Sequence, residues 1–238
     1  MILRDISFET PSENILFDEV LLDLAEENGG PETLRFWESQ TPFVVLGRIS
    51  KISEDVELEK AKKDHIPVLR RCSGGGTVLQ GPGCLNYTFI LSKDKHPLVR
   101  DLRQSYEFIL NKVVKALLPT GIESIALPIS DIALKKDHRK FSGNAQKRSK
   151  KFILHHGTIL YNFDLKKIAH YLKMPSSIPE YRQGRPHDEF VTNIKISKET
   201  IKEALKKMFL TEVENNDVSS VEQKLLQGFL QTKNPVLD

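Results

Sequence analysis

The fold of this chain is organised around one glycine-rich stretch, which reads Arg70-Arg71-Cys72-Ser73-Gly74-Gly75-Gly76-Thr77-Val78. Three consecutive glycines disfavour a helix or a strand, because each loses much backbone entropy on folding. Successive bare N–H groups in such a turn can form an anion-binding concavity. Apolar runs on both sides predict a strand, a glycine turn and a second strand. The stretch alone is equally compatible with an ordinary hairpin turn that carries two solvated arginines, and it lacks the Gly-Lys-Ser/Thr of a Walker loop.

Two segments further along the chain make the interpretation more specific. They are Arg139-Lys140-Phe141-Ser142-Gly143-Asn144-Ala145-Gln146 and His155-His156-Gly157-Thr158-Ile159-Leu160. Together with the glycine stretch, and in this order, they resemble the lipoate–protein ligase A family. That family belongs to the superfamily of biotin and lipoate ligases and octanoyltransferases. The resemblance runs from about Pro11 to Asn193, and three motifs in order with compatible spacing are far more specific than any one of them.

Length and composition indicate an ordinary globular protein. The 238 residues can bury one good-sized core. No window approaches the apolar length of a membrane span, and the first residues lack the plan of a signal peptide. We therefore expect a cytoplasmic protein with no membrane association, in which Cys72 and Cys84 are reduced thiols. The net charge of +3 is too small to indicate nucleic-acid binding.

The periodicity of apolar residues predicts an α+β fold, and the resemblance implies the biotin/lipoate-ligase catalytic type. We expect a mixed, largely antiparallel sheet with packed helices. The predicted elements include a capped helix from Thr10 to Gly29, a hairpin formed by Thr33–Trp37 and Pro42–Arg48, a charged helix over 54–63, a helix over 99–118, a strand over 152–163, and helices over 198–210 and 220–231. Residues 1–195 are expected to form the catalytic domain, and residues 196–238 a helical extension without a full accessory domain.

The resemblance implies ATP-dependent activation of lipoate to lipoyl-AMP, followed by transfer of the lipoyl group to a lysine of a lipoyl-domain protein. Such an enzyme must hold a carboxylate beside a triphosphate, which requires fixed positive charge, N–H donors and a cation. Lys140 is the catalytic candidate, since the matching lysine of the family bridges the substrate carboxyl group and the α-phosphate. Without the flanking motif, a lysine in a basic run would be interpreted as a solvated surface charge.

The resemblance also assigns the remaining site residues and ligands. The candidates for binding substrate or nucleotide are Arg71, Ser73, Gly74, Gly75, Gly76, Thr77, Asn86, Ser142, Gly143, Asn144, Ala145, His156, Gly157 and Thr158. Within this set, Ser142 to Ala145 are expected to form a turn over the nucleotide. Asp131 is the candidate ligand for Mg²⁺, and Trp37 is a weaker candidate for the wall of the acyl pocket. Gln80 stands where many members of the family carry histidine.

Three alternatives remain. An octanoyltransferase would use a cysteine thioester, but no cysteine lies between Ile125 and Lys140 or after Cys84. A biotin ligase would carry a basic Gly-Arg-rich loop. A non-catalytic scaffold would not need Lys140, Asp131 and Arg71.

The short C-terminal part of the chain leaves the reaction partners open. Because few residues follow Asn193, the chain could be a catalytic subunit that needs a separate small accessory subunit, or a transferase without adenylation. The expected acceptors are lipoyl domains of 2-oxoacid dehydrogenase complexes or the glycine cleavage H protein. The preferred acyl chain and the oligomeric state stay open.

Overall fold

Two β-sheets form the framework of the protein in its computed structural model, which describes residues 1–175 and 178–233 and the backbone of residues 236–237. The strands are β1 (Ile2–Asp5), β2 (Thr33–Trp37), β3 (Phe43–Leu46), β4 (Val68–Arg70), β5 (Val78–Gln80), β6 (Cys84–Ser92), β7 (Ser124–Leu127), β8 (Asp131–Leu134), β9 (Lys140–Arg148), β10 (Phe152–Leu160), β11 (Val213–Glu214) and β12 (Val236–Leu237). The large sheet has the order β11-β1-β2-β6-β10-β9-β8-β7, and the small sheet has the order β12-β4-β3-β5. The pairs β1–β11, β1–β2 and β3–β4 are parallel and the others antiparallel, which confirms the predicted mixed, largely antiparallel architecture.

Helices cover both faces of the large sheet. They are α1 (Pro11–Asn28), α2 (Ile52–Asp55), α3 (Leu58–Lys63), α4 (Leu102–Leu117), α5 (Lys166–Tyr171), α6 (His187–Phe190), α7 (Lys198–Phe209) and α8 (Ser220–Thr232). Helices α4 and α7 pack with the sheet around one apolar core, and α1 and α8 pack on the opposite face. None of the helices in the described part of the chain has both the length and the apolar character needed to cross a bilayer.

The first helix begins and ends where the sequence predicts. The Thr10 hydroxyl accepts a hydrogen bond from the Glu13 amide at 3.2 Å, and the Glu13 carboxylate accepts one from the Thr10 amide at 3.1 Å. This capping box satisfies two of the N–H groups that a helix start leaves unpaired. At the other end Gly29 adopts a φ of +64°, which a side chain would disfavour.

Two predicted hairpins are wrong. Strand β2 lies in the large sheet between β1 and β6, whereas β3 lies in the small sheet between β4 and β5. The strands that flank the glycine loop, β4 and β5, are likewise separated by β3. A turn between two apolar runs predicts a chain reversal, but it does not say which strands then pair. The charged helix predicted over 54–63 is two helices, interrupted where Val56 forms a bridge to Leu172.

The C-terminal part of the chain packs on the same framework. Helix α7 contacts α4, β11 adds a parallel strand beside β1, and α8 contacts α1. A largely buried ion pair between Arg4 and Glu222, 2.8 Å apart, ties α8 to β1. Residues 234, 235 and 238 of the predicted extension lie outside the described residues.

Candidate active site

A cavity of about 720 Å³ lies between the large and small sheets. This volume is typical of a pocket for a small-molecule ligand. The predicted site residues that line it are Arg71, Gly75, Gly76, Thr77, Asn86, Asp131, Lys140, Ser142, Gly143, Asn144, Ala145, His156, Gly157 and Thr158. Two of the predicted site residues, Ser73 and Gly74, do not line the cavity. Motifs that are far apart in the sequence are therefore brought together around one space.

Five directly opposed residues form a row across the wall of the large sheet. Trp37 pairs with Asn86, Asn86 with Thr158, Thr158 with Gly143, and Gly143 with Asp131. Directly opposed residues share one face of a sheet, and all five line the cavity. Neighbouring strands are about 4.8 Å apart. Gly143 and Asn86, two strands apart, are therefore separated by about 10 Å.

The charged end of this row is formed by Lys140 and Asp131. The Lys140 Nζ lies 2.9 Å from Asp131 Oδ1, and it lies 3.0 Å from the position that a Cβ atom on Gly143 would occupy. Glycine at this position therefore leaves room for the ammonium group above the strand. The lysine thus reaches into the cavity over Gly143, next to the Asp131 end of the row.

Tyr181 completes this end of the cavity and was missed by the sequence reasoning. Its hydroxyl donates to Asp131 Oδ2 at 2.9 Å, and burial together with the Asp131 charge raises the pKa of Tyr181, so the hydroxyl stays protonated. The sequence showed only a polar loop there. A tyrosine inside such a loop was the available signal, but nothing local indicated that it would meet Asp131.

The glycine loop, Ser73–Thr77, is shaped by Arg71. The Arg71 Nη2 donates to the carbonyl oxygens of Gly74 and Gly76 at 2.6 and 2.8 Å, and Nε donates to Ser73 Oγ at 3.0 Å. Burial lowers the pKa of Arg71 to about 10, which leaves it charged at neutral pH. Within the described part of the chain, the N–H groups of Gly74 to Thr77 have no hydrogen-bond acceptor. Arg71 therefore braces the loop from within and leaves N–H groups of the kind that bind anions.

The loop packs tightly against the end of β3. A Cβ atom on Gly47 would lie 1.9 Å from the Gly75 carbonyl oxygen, so only glycine allows this approach. Gly75 itself has a φ of +83°. Arg70 holds the neighbouring turn by donating to the carbonyl oxygens of Gly47 and Ser50, both at 2.8 Å. Both arginines of the motif thus fix backbone rather than remaining solvated.

Ser142 to Ala145 form part of strand β9, and the predicted turn over the nucleotide is wrong. The side chain of Asn144 donates to the Ser130 carbonyl oxygen at 2.9 Å and accepts from Tyr87 and from His155 Nε2. A Cβ atom on Gly157 would lie 2.1 Å from Asn144 Oδ1. Because side chains alternate along a strand, the side chains of Ser142 and Asn144 belong to a buried polar cluster at the edge of the cavity, whereas Gly143 and Ala145 lie on the face that carries Lys140 and the glycine loop.

The end of the row at Trp37 is mostly apolar. Beside it, three polar side chains are hydrogen-bonded to one another. Thr158 Oγ1 donates to Asn86 Oδ1 at 2.7 Å and accepts from Gln80 Nε2 at 3.0 Å. Gln80, which departs from the family pattern, therefore has a defined partner here. Apolar side chains complete this end of the cavity, namely Ile15, Trp37, Val45 and Val78.

A buried ion pair at the wall of the cavity was also missed by the sequence reasoning. Asp18 Oδ1 lies 2.6 Å from Arg35 Nη1, and both side chains are almost fully buried. Burial alone would raise the pKa of Asp18, but the Arg35 charge and hydrogen bonds from His156 and Thr88 hold it below its usual value. A charged residue inside the apolar run of α1 and an arginine inside β2 were the available signals. The sequence alone did not indicate that they would meet.

The two thiols are poorly placed for nucleophilic chemistry. Cys84 is completely buried, and burial raises the pKa of Cys72 to about 12 and also raises that of Cys84. Neither residue lines the cavity. At neutral pH both thiols stay protonated, whereas a nucleophilic cysteine reacts as the thiolate.

The described residues contain no cluster of three or more His, Cys, Asp or Glu side chains that could cage a metal ion. Asp131 is the carboxylate beside Lys140. Each carboxylate oxygen can accept about two interactions, so Asp131 keeps acceptor capacity beyond its contacts with Lys140 and Tyr181. Mg²⁺ in nucleotide sites is held through one or two carboxylates, waters and the phosphates themselves. The donor set therefore fits a magnesium ion that arrives with a nucleotide, and not a permanent metal centre.

Comparison with known sequences places these motifs among lipoate enzymes. The model of the lipoyl protein ligase A/B catalytic domain matches residues 10–214. The chain is 32% identical over 164 residues to a probable lipoate-protein ligase A of Mycoplasma pneumoniae, which covers 69% of this chain and 46% of that protein. It is 26% identical over 202 residues to octanoyltransferase LipM of Geobacillus kaustophilus, covering 76% of this chain and 72% of that protein. The chain thus spans about half the length of the first of these relatives.

Two solved structures share the fold. One is a bi-partite lipoate protein ligase from Thermoplasma acidophilum, described with its E2 lipoyl domain, which matches with a TM-score of 0.82 at 22% identity over 97% of this chain and 91% of that chain. The other is a lipoate-protein ligase A bound with ATP, with a TM-score of 0.81 at 22% identity over 97% and 94% of the two chains. At this level of identity the likeness establishes the architecture.

Proposed function

Because the chain belongs to the lipoyl protein ligase A/B catalytic domain family, we propose that it activates lipoate with ATP and transfers the lipoyl group to a lysine of an acceptor protein. The observation that carries the proposal is the row of residues across the large sheet. The Lys140 ammonium lies over Gly143, about 10 Å from Asn86 at two strand spacings. An extended eight-carbon acid spans about 9 Å at roughly 1.2 Å per bond. A carboxylate at Lys140 would therefore place its tail among Trp37, Val45 and Val78.

The first half-reaction uses Lys140 and the glycine loop. A carboxylate oxygen of lipoate attacks the α-phosphorus of ATP and displaces pyrophosphate, which forms the mixed anhydride lipoyl-AMP. Both reactants are anionic, so they approach only where fixed positive charge lies between them. Lys140 supplies that charge, and the unbonded N–H groups of the glycine loop supply donors to the phosphates. One of the two structural relatives is bound with ATP, which supports the choice of nucleotide.

The second half-reaction uses the same lysine. The neutral amine of the acceptor lysine attacks the acyl carbonyl carbon, AMP departs with the bonding electron pair, and the proton that the nitrogen loses passes to solvent. Lys140 stabilises the charge that develops on the carbonyl and phosphate oxygens. Asp131 holds the ammonium in place, and the Tyr181 hydroxyl holds Asp131. In the first half-reaction, a magnesium ion held by Asp131 and the phosphates would neutralise charge on the pyrophosphate that leaves.

The acceptor is proposed to be a lipoyl domain of a 2-oxoacid dehydrogenase complex or the glycine cleavage H protein. The Thermoplasma structural relative is described with its E2 lipoyl domain, which supports this class of partner. Because that relative is a bi-partite ligase and this chain covers 91% of its matched chain, a separate small accessory subunit for adenylation is a second proposal.

An octanoyltransferase is the competing function, and the LipM relative favours it. This alternative needs a nucleophilic thiolate within reach of the acyl group. Cys72 and Cys84 are outside the cavity lining, and burial raises the pKa of both. The residues of this chain therefore favour adenylation over a cysteine thioester.

Exchange of labelled pyrophosphate into ATP separates these functions. We expect exchange that requires lipoate and Mg²⁺, because adenylate formation is reversible. Octanoate in place of lipoate measures the preference for the acyl chain. If purified chain shows no exchange but moves an octanoyl group from its carrier protein without ATP, the ligase assignment is wrong. Exchange that appears only when a small partner subunit is added supports the second proposal.

A further inference from the structure

A continuous chain of contacts joins the buried ion pair at the cavity wall to the glycine loop. His156 provides the link. Its Nδ1 lies 3.5 Å from Asp18 Oδ2, and its Nε2 lies 2.6 Å from Ser73 Oγ. Its two ring nitrogens therefore face two different segments of the chain, α1 and the start of the loop.

The partners of Asp18 keep this anchor fixed. Arg35 lies 2.6 Å from one carboxylate oxygen, and the Thr88 hydroxyl donates to the other at 2.7 Å. Arg35 is itself held by hydrogen bonds to the carbonyl oxygens of Asn14 and Ile6. The buried charges are balanced before His156 is considered, so the histidine is not needed to neutralise Asp18. Its position against Asp18 restrains the ring.

On its Nε2 side, the His156 ring restrains Ser73. Ser73 Oγ accepts from Arg71 Nε at 3.0 Å, which leaves its hydrogen available for His156 Nε2. Arg71 in turn binds the carbonyl oxygens of Gly74 and Gly76. Ser73 is therefore shared by the histidine and by the arginine that shapes the loop.

The same three residue types occur in serine hydrolases, but the geometry here does not serve a nucleophile. Ser73 is 1% exposed and is outside the residues that line the cavity. A nucleophilic serine needs its oxygen directed at the reacting carbonyl carbon. Ser73 Oγ instead lies between Arg71 and His156, which makes it part of the support of the loop.

We propose that His156 is a positioning residue that, held from behind by Asp18, fixes Ser73 and keeps the glycine loop in the shape that leaves its N–H groups available to an anionic ligand. The identity of that ligand, the phosphates of ATP, rests on the proposed function; the contacts themselves do not. We call Asp18, His156 and Ser73 the loop relay. The relay acts on nucleotide binding through the loop and not on the reacting atoms.

Two substitutions at position 156 distinguish the contact made by Nε2 of the histidine from the contact made by Nδ1. His156→Gln retains an acceptor near the Nε2 position and can hold Ser73, whereas His156→Asn reaches only the Nδ1 position and loses Ser73. We expect His156→Asn to raise the KM for ATP about fivefold, as for one lost hydrogen bond, with kcat changed less than twofold. His156→Gln should stay within twofold of wild type in both. Equal KM values for the two variants would overturn the proposal, and so would a loss confined to kcat.

A double-mutant cycle and a matched control complete the test. Ser73→Ala should raise the KM for ATP to a similar extent, and adding His156→Asn should raise it little further, because the two residues act as one unit. Independent, multiplying effects would contradict the relay. His170→Gln is the control, since His170 also lies 3.5 Å from a carboxylate, that of Asp64, but is half exposed and outside the cavity. It should leave KM unchanged.

Amide hydrogen exchange gives a readout that needs no ligand. We expect faster exchange at Gly74 to Thr77 in His156→Asn than in His156→Gln, at equal thermal stability of the two variants. Equal exchange overturns the relay. If wild-type protein, with and without an added accessory subunit, neither binds ATP nor exchanges pyrophosphate, the proposed function fails, and the amide exchange still decides the relay.

Discussion

The two faces of strands β9 and β10 carry residues from the same short motifs but do different work. On the cavity side, the Lys140 ammonium lies over Gly143, and His156 reaches the glycine loop. On the other side, Asn144, His155 and Gly157 form a buried cluster with Tyr87. Adjacent residues of one motif are therefore divided between binding and support. The cause is the two-residue period of a strand.

This difference shows that residues that are adjacent in a sequence motif need not face the same site. Ser142 and Asn144 look as functional in sequence as Gly143, but Asn144 bonds to the Ser130 carbonyl, to Tyr87 and to His155, and Ser142 bonds to Asn144. Changes on the cavity side should alter chemistry with little effect on stability. Changes on the support side should alter stability first.

The largest effect is expected on the cavity side, from Lys140→Ala. Removing a charge aimed at the transition state costs about 10²- to 10³-fold in rate. We expect lipoate-dependent pyrophosphate exchange to fall by that factor, while the melting temperature changes by only a few degrees. Lys150→Ala, an exposed lysine in the turn after β9, should retain full activity. Substantial activity in Lys140→Ala would remove the lysine from the mechanism.

On the support side, Gly157→Ala should destabilise the folded protein by disrupting the buried cluster around Asn144 and Tyr87. The new methyl group would meet Asn144 Oδ1 at 2.1 Å and the Tyr87 hydroxyl at 2.5 Å. Overpacking of this kind costs about 1–3 kcal/mol or more, which denaturant unfolding measures. Gly228→Ala, where nothing lies within 4 Å in helix α8, should instead be neutral or stabilising by up to about 1 kcal/mol. Equal stabilities of the two variants would refute the contrast.

The support side also predicts a pH dependence of stability. Burial lowers the pKa of His155 to about 3, whereas an unfolded histidine titrates near 6.5. Between these values the unfolded chain binds a proton that the folded chain does not. The free energy of unfolding should therefore fall as the pH drops below about 6.5, by up to about 1.4 kcal/mol per pH unit.

His155→Gln should remove this component, which makes the slope of stability between pH 6 and pH 5 shallower than in wild type. His170→Gln, on an exposed side chain, should leave the slope nearly unchanged. Parallel curves for wild type and His155→Gln would show that the histidine is not held neutral.

The smallest effect is expected for Cys72→Ser, because Cys72 lies beside the glycine loop and outside the cavity lining. A ligase that proceeds through an adenylate should keep its transfer rate within about twofold, because a substitution away from the reacting groups changes little. A thioester mechanism through Cys72 would lose transfer almost completely. The measurement is lipoyl transfer with and without ATP.

The sequence was sufficient for the fold class, and most of the predicted site residues line the cavity. The capping boxes at Thr10 and Ser219 and the helical periodicity set the helices, and the three motifs located the site. Sequence could not pair the strands, because β2 and β3 look like a hairpin locally while long-range packing sends them to different sheets. It also could not show that Asp18 would meet Arg35, or Tyr181 would meet Asp131, since these contacts exist only after the chain has folded.

The central claim is that this cavity delivers an activated lipoyl group to a lysine, and intact mass of a purified lipoyl domain tests it most directly. The domain is incubated with this protein and either lipoate with Mg-ATP or preformed lipoyl-adenylate. We predict a gain of one lipoyl group from the adenylate, lost in Lys140→Ala, and the same gain from lipoate with ATP once any accessory subunit is present. An unmodified domain in every arm would contradict the claim.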